Sequence, residues 1–506
     1  GRAAGKALAL DTPIPTPTGW TTMGKIQPGD TVFDEHGVPC RVVAATEVML
    51  GRPCYEMVFS DGTKVIADAQ HEWVTETHAA RKSFARCKEH LAKTERWSKL
   101  PQCKRRHAPK AVTTEHISET LICGKREANH SIRLARPLQC RKKNLPISPY
   151  TLGVWLGDGN SHEAAFTTAD IEVLLGVVRD GYEFRIRGVK GDGPAVTVSF
   201  WTAGKRRHRS PVTGKMESLD GNVVAELRKL GVLGVGNKSI PRVYLRASYK
   251  QRMALLQGLM DTDGYVDKKG VCEFTTTLSA LAETFYELCV SLGIKATVSE
   301  GRATLYGKDC GPKYRVRFTS YRPVFTIERK LERQGEMGLQ FRRQLTRYIK
   351  AVNPVSSVPV RCIQVDSPSH QYLVTKAMIP THNSFIGAYD MLTRAKGGRL
   401  YLVTNPTYPL LRDSTYRSYL DVANKLGCFK RANKQEFYMI IATRDGGEAQ
   451  INFRSADRPE GIARGPNYSG WHGDEASLCS EELPQLAIAM LREAGELGWL
   501  SLTFTP

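Results

Sequence analysis

Toward its two ends the chain reads Ala7-Leu8-Ala9-Leu10-Asp11-Thr12-Pro13-Ile14-Pro15-Thr16-Pro17-Thr18-Gly19-Trp20 and Pro380-Thr381-His382-Asn383-Ser384. The second stretch carries chemistry in its order. The Asn383 side-chain amide can attack its own carbonyl and release Ser384 as a free amine. His382 can polarise that carbonyl, and the Ser384 hydroxyl is a nucleophile able to hold an acyl group. Outside these edges lies a broken pattern. Gly1-Arg2-Ala3-Ala4-Gly5-Lys6 offers the loop and Lys of a P-loop, which requires Ser or Thr next to bind Mg²⁺, but Ala7 follows. The missing Ser stands at the head of Ser384-Phe385-Ile386-Gly387-Ala388, a helical pattern. Removing residues 7–383 would rejoin Gly5-Lys6-Ser384, all three candidates for binding nucleotide.

Further positions explain how the upstream junction could break. Gly62-Thr63-Lys64-Val65-Ile66-Ala67-Asp68-Ala69-Gln70-His71-Glu72-Trp73 places His71 two residues before Trp73, Cys362 lies in Val360-Arg361-Cys362-Ile363-Gln364-Val365-Asp366, and Thr381 precedes His382. Taken singly, a Trp on a strand is usually core and a Cys in a β-run a small buried hydrophobe. Together with the terminal blocks, residues 7–383 closely resemble an intein. Trp73, Cys362 and Thr381, with Ala7 where most inteins begin with Cys or Ser, resemble the signature of class 3 inteins.

That resemblance implies an all-β, horseshoe-like Hint splicing domain built from both ends of the insert. It also implies four steps needing no metal or ATP. Cys362 attacks the Lys6 carbonyl while His71 protonates the departing Ala7 amine; Ser384 takes the acyl group; Asn383 cyclises with help from His382; an O-to-N shift leaves a Lys6–Ser384 peptide bond. Asp68 stands where the family usually has Thr in the His-bearing block, and His370 could support an oxyanion. The alternative is a class 1 intein whose first Cys has been replaced by Ala7.

The middle of the insert repeats a motif. Thr151-Leu152-Gly153-Val154-Trp155-Leu156-Gly157-Asp158-Gly159 matches Leu256-Gln257-Gly258-Leu259-Met260-Asp261-Thr262-Asp263-Gly264. Each reads as an apolar helix with small residues on one face, ending in an acidic residue and Gly. Close approach along the glycine face would bring Asp158 and Asp263 together, and two adjacent carboxylates suit Mg²⁺ ions for phosphodiester hydrolysis. The pair resembles the LAGLIDADG homing endonucleases, which implies double-stranded DNA as partner and Asp158 and Asp263 as metal-binding residues. Lys238, in Asn237-Lys238-Ser239-Ile240-Pro241, is then a candidate catalytic or backbone-contacting base.

The flanks resemble the ATPase domain of a tailed-phage terminase large subunit. Arg399-Leu400-Tyr401-Leu402-Val403-Thr404 belongs to an alternating helix and strand pattern, an α/β signature. Tyr468-Ser469-Gly470-Trp471-His472-Gly473-Asp474-Glu475-Ala476 looks like a Walker B strand, with Asp474 for Mg²⁺ and Glu475 to activate water. Thr503-Phe504-Thr505-Pro506 resembles that family's coupling motif. ATP and Mg²⁺ are expected only for an intact, spliced terminase: the first P-loop Gly would lie upstream of Gly1 and the nuclease domain is absent, so this piece is not expected to hydrolyse ATP. The competing reading is a DNA-packaging ATPase with a basic DNA-binding insertion that stays in place.

Charge follows the same division. Of the net +21 over 506 residues, residues 1–6 carry +2 and residues 384–506 balance 14 basic against 14 acidic, leaving +19 in residues 7–383. A strong basic excess points to a polyanionic partner. The expected layout is therefore multidomain: residues 1–6 an N-terminal flank, 7–145 and 336–383 the two parts of the splicing domain, 146–335 an α/β endonuclease, and 384–506 a fragment of a RecA-like ATPase. Within it, residues 76–145 read as a basic, irregular linker with local helix. There Cys87, His90, Cys103 and His107 have finger-like spacing, but without a paired ββα pattern they read as a basic loop rather than a zinc site. Twelve scattered cysteines, no apolar run of membrane-spanning length and no signal-peptide core suggest a cytoplasmic protein. The start, lacking Met, reads as that of an internal excerpt.

Overall fold

The computed structural model describes residues 6–93, 109–124, 127–189, 193–203, 208–209, 216–217, 222–306, 308–335, 345–382, 386–433, 435–457, 466–474, 483–492 and 498–502. The two ends of the insert meet in one sheet. Its strand order is Val360–Arg361, Leu8–Ala9, Lys64–Asp68, Cys54–Phe59, Thr346–Val355, His130–Arg133, Glu72–Thr77, Ile379–His382 and Gln371–Val374, with Lys110–Thr113 also paired to Glu72–Thr77. Leu8 lies opposite both Arg361 and Ala67. The Asp61-Gly62 turn closes the hairpin between Cys54–Phe59 and Lys64–Asp68 with Gly62 at φ +84°, the left-handed conformation that glycine adopts without a Cβ penalty. Met57, Phe59, Val65, Trp73, Ile132, Ile349 and Ile363 are buried in one cluster beneath the sheets.

Residues 76–145 are not a linker. They contain two helices (His78–Lys93 and Thr114–Glu119) and strands that include Lys110–Thr113 and His130–Arg133, the latter in the middle of the sheet between Thr346–Val355 and Glu72–Thr77. Basic composition concealed this because part of the charge works inside the fold. The Arg81 guanidinium donates to the carbonyls of Glu76, Ala128 and Asn129 and to Ser131 Oγ, stitching the helix to the sheet. Cys87 is in a disulfide; Cys103 and His107 lie outside the described residues.

The middle of the insert folds as two α/β halves around the packed helices Pro149–Asp158 and Tyr249–Thr262. One half carries a three-stranded sheet (Ala165–Thr168, Val196–Thr202, Tyr182–Val189), the other a four-stranded sheet (Gly264–Val266, Cys272–Thr276, Lys308–Phe318, Ala296–Leu305). A single apolar cluster from Ile147 to Ile327 unites them. The segment beyond Ser384 has a six-stranded sheet, ordered Phe429–Asn433, Tyr438–Ala442, Glu448–Ser455, Leu400–Asn405, Gly470–Gly473 and Trp499–Leu502. Its last four strands run parallel. No helix among the described residues is long and apolar enough to cross a membrane.

Candidate functional sites

The strand Glu72–Thr77 buries Trp73, and the preceding turn buries His71 completely. The Trp73 ring stands edge-on to the His71 imidazole at 4.8 Å between centroids, and its Nε1–H donates to Thr114 Oγ1 at 3.0 Å. The other face of the site comes from the hairpin Gln371–Val374 and Ile379–His382, which delivers Thr381 to a hydrogen bond with His71 Nε2. Nδ1 has no partner at ordinary hydrogen-bond geometry. Burial lowers the His71 pKa to about 4, while the Lys6 backbone lies close enough to oppose part of that shift. The ring is thus neutral at pH 7 and faces the bond that precedes Ala7.

Cys362 reaches the same place from the far end of the sequence. Ala7, Cys54, Val360 and Cys362 form a small buried cluster. The Cys362 backbone is fixed by N–H donation to Thr46 Oγ1 and by Thr46 N–H donating to its carbonyl. The free Cys54 thiol, not signalled in the sequence, points at the carbonyls of Arg52 and Val358. Asp68, where a Thr was expected, turns its carboxylate onto Arg52 and the Gln70 N–H, while its own N–H donates to the Ala7 carbonyl.

His382 adjoins these groups. His382 lies directly across from Glu72, with Nδ1 3.4 Å from Glu72 Oε2. The same oxygen takes Lys6 Nζ at 2.9 Å. Sequence reasoning missed Glu72, whose only signal was its position between His71 and Trp73. His370 is buried at φ +53° with neither ring nitrogen in a hydrogen bond of ordinary geometry; burial lowers its pKa to about 4, with further lowering by His382. Asn383, Ser384 and Gly5 lie outside the described residues.

In the second centre the glycines let two helices touch. A Cβ on Gly153 would sit 2.4 Å from the Leu255 carbonyl oxygen, and one on Gly258 would sit 2.2 Å from that of Tyr150. This contact ends at the Asp158 and Asp263 carboxylates. Burial and then the neighbouring Asp158 charge raise the Asp263 pKa to about 6, with Lys238 and Lys330 opposing. Lys238 donates to the carbonyls of Gly157 and Gly159, and burial lowers its pKa to about 8 against the pull of both aspartates. Lys330 does the same for the other helix, donating to the carbonyls of Met260, Asp261, Thr262 and Gly264. Each ammonium therefore neutralises the negative end of one helix. Lys330 was missed because its short helix, Glu328–Gln334, carries no motif.

In the third unit Asp474 follows the buried strand Gly470–Gly473 and accepts from Thr415 Oγ1 at 2.5 Å. Glu475 and residues 503–506 lie outside the described residues. Among the described residues no cluster of three or more metal-ligating side chains occurs.

Residues 250–330 match the family described as "LAGLIDADG-like domain". A protein named replicative DNA helicase DnaB from Mycobacterium intracellulare is 42% identical over 388 residues, covering 76% of this chain and 59% of its own length. Its namesake in Mycobacterium leprae is 61% identical over 83 residues, 16% of this chain and 14% of that protein. The chain thus spans less than two thirds of the curated relatives it matches. Among solved structures, the MchDnaB-1 intein covers 74% of this chain and 99% of its own at 18% identity and TM-score 0.23. The Msm DnaB1 intein splicing domain bound with zinc gives the same coverage at 19% and 0.22. The large terminase from a thermophilic bacteriophage covers 23% of this chain and 29% of its own at 16% and 0.21. The chain carries a LAGLIDADG-like domain, and the stretch it shares with a DnaB-named protein covers about three quarters of its length.

Proposed function

We propose that residues 7–383 are a self-splicing insert of the class 3 intein type, carrying a homing endonuclease that cleaves double-stranded DNA. The observation that carries the splicing reading is the burial of Cys362 against Ala7 beside the His71–Thr381 pair. The relatives support it in one respect. Residues 1–6 and 384–506 are too short to hold a 388-residue alignment, so what is shared with the DnaB-named protein lies chiefly in the insert. A mobile insert shared between unlike hosts has that distribution.

In the first step the Cys362 sulfur bonds to the Lys6 carbonyl carbon, the Lys6–Ala7 C–N bond breaks, and the thiol proton ends on the Ala7 amine. A buried neutral His71, held by Thr381 through Nε2, is suited to relay that proton without being a standing charge. Ser384 Oγ next displaces the thiolate, which regains a proton. The Asn383 amide nitrogen then closes on its own carbonyl, releasing the Ser384 amine, and an O-to-N shift completes the peptide bond. Mass spectrometry of the expressed chain tests this: wild type should give a ligated 1–6/384–506 product and a free 7–383 piece, and Cys362→Ala should give neither. Loss of splicing in Cys54→Ala with retention in Cys362→Ala would sink the assignment, as would splicing that requires Ala7→Cys.

For the endonuclease, two adjacent carboxylates, with the Asp158 charge raising the cost of ionising Asp263, fit a divalent cation such as Mg²⁺. Asp158 and Asp263 would hold it, and it would supply charge stabilisation at the phosphodiester. Lys238 and Lys330 position the two helix ends, and the basic insert holds the DNA backbone. A plasmid bearing the uninterrupted coding sequence of the flanks should be cut with Mg²⁺; DNA that stays intact would refute activity.

For the host we propose the ATPase of a phage terminase, with Lys6 and Ser384 in the P-loop, Asp474 at the carboxyl end of a parallel strand, and Glu475 beside it. The support is that strand-end placement, where open α/β sheets bind ligands. On this reading the domain limits are those of the sequence, and the protein acts in the cytoplasm of an infected bacterium.

A further inference from the structure

Glu72 stands between the side chains of Lys6 and His382. Its position is set by backbone pairing, since it lies opposite His382 in adjacent antiparallel strands. One carboxylate oxygen, Oε2, serves both Lys6 Nζ at 2.9 Å and His382 Nδ1 at 3.4 Å. The first distance is that of a charge-assisted hydrogen bond; the second is longer than one. Lys6 is the residue whose carbonyl must leave Ala7, and His382 precedes the asparagine that must cyclise.

We propose that Glu72 is a positioning residue that couples the two junctions: while Lys6 is joined to Ala7 its ammonium holds the carboxylate, and after the Lys6 acyl group moves to Cys362 and Ser384 the carboxylate closes on His382 and sets the ring for Asn383 cyclisation. This rests on the splicing reading above. Burial raises the Glu72 pKa, but Lys6 first and His382 next more than reverse this, leaving the carboxylate ionised and shared. Order matters chemically. Cyclisation before acyl transfer would sever residues 384–506 with nothing left to join them to, so a carboxylate engaged by the unreacted upstream residue protects against that loss. It also makes Lys6, the same lysine a P-loop requires, a residue that the insert reads by charge.

The test uses the full chain with Cys362→Ala, in which Lys6 stays at its junction, and follows release of residues 384–506 by mass spectrometry. Lys6→Met should speed that release by about two- to fivefold, the effect of losing a partly exposed ion pair. Lys6→Arg should keep the slow rate. Glu72→Gln should slow release and remove its dependence on residue 6, a pattern that a merely structural role for Glu72 would not produce. Equal release from the Lys6, Met and Arg chains, or a Lys6→Met acceleration that survives Glu72→Gln, overturns the coupling. A wild-type chain that never splices overturns the splicing reading itself, and the coupling with it; normal splicing with release indifferent to residue 6 overturns the coupling alone.

Discussion

The His71–Cys362 centre and the Asp158–Asp263 centre both bring ionisable groups together, but they are assembled in opposite ways. The first draws Ala7, His71, Cys362 and Thr381 from remote parts of the sequence through strand pairing. The second is two copies of one local unit, a helix with small residues on one face and an acidic end, laid against each other. Long-range pairing can bring a buried imidazole and a buried thiol to one place, because no single element has to carry both. Duplication yields two like carboxylates related by pseudo-symmetry, at the ends of two matching helices.

If the two centres are chemically independent, each can be removed alone. Cys362→Ala should lower the ligated product more than about 10³-fold, as removal of a nucleophile does, while plasmid cleavage by the unspliced chain persists. Conversely, Asp263→Asn should reduce DNA cleavage by roughly 10³-fold, matching the several kcal/mol a bound cation supplies, with the splicing yield unchanged. Loss of both activities in either variant would show that the two units depend on each other.

Acid should separate them next. His71, His130 and His370 all lie outside the two-helix unit, in or beside the sheet that joins the two ends of residues 7–383, and burial lowers each pKa to about 4. The unfolded chain binds these protons near pH 6.5 and the folded one only near 4, so stability is full above about 6.5 and falls as pH drops toward 4. Hydrogen exchange should report a loss of about a few kcal/mol across that window in the strands around His71. An equal loss in the Pro149–Asp158 and Tyr249–Thr262 helices would contradict this origin. The smallest effect is mechanical: Gly153→Ala places a Cβ against the backbone at Leu255 and should cost about 1–3 kcal/mol. It would be read as a lower unfolding midpoint for the helical unit, with splicing retained.

Particular residues show how far each centre was legible. Asp158, Asp263 and the glycine face could be read directly, because a helix repeats its faces within a few residues and the motif occurs twice. Lys330 could not, since its role at a helix end comes from tertiary approach of a short unmarked helix. His71, Cys362, Thr381 and His382 could be named from local blocks, whereas Glu72 and Cys54 have no motif and gain meaning only from what lies across the sheet. The basic stretch 76–145 was misread for a related reason. Arg81 carries a surface composition, but in the fold its guanidinium satisfies interior carbonyls.

The sequence by itself determined the covalent chemistry available at the two edges, the duplicated helix that must pack by its glycines, and the concentration of +19 in the insert. Each depends on residue identity or on spacing within one element. Only the tertiary structure decided that Cys362 lies against Ala7, that His71 is kept neutral and bound to Thr381, and that one carboxylate oxygen of Glu72 serves both Lys6 and His382. Those relations arise from strand pairings hundreds of residues apart, whose loop-closure entropy is met by burial of the whole sheet and not by any local preference.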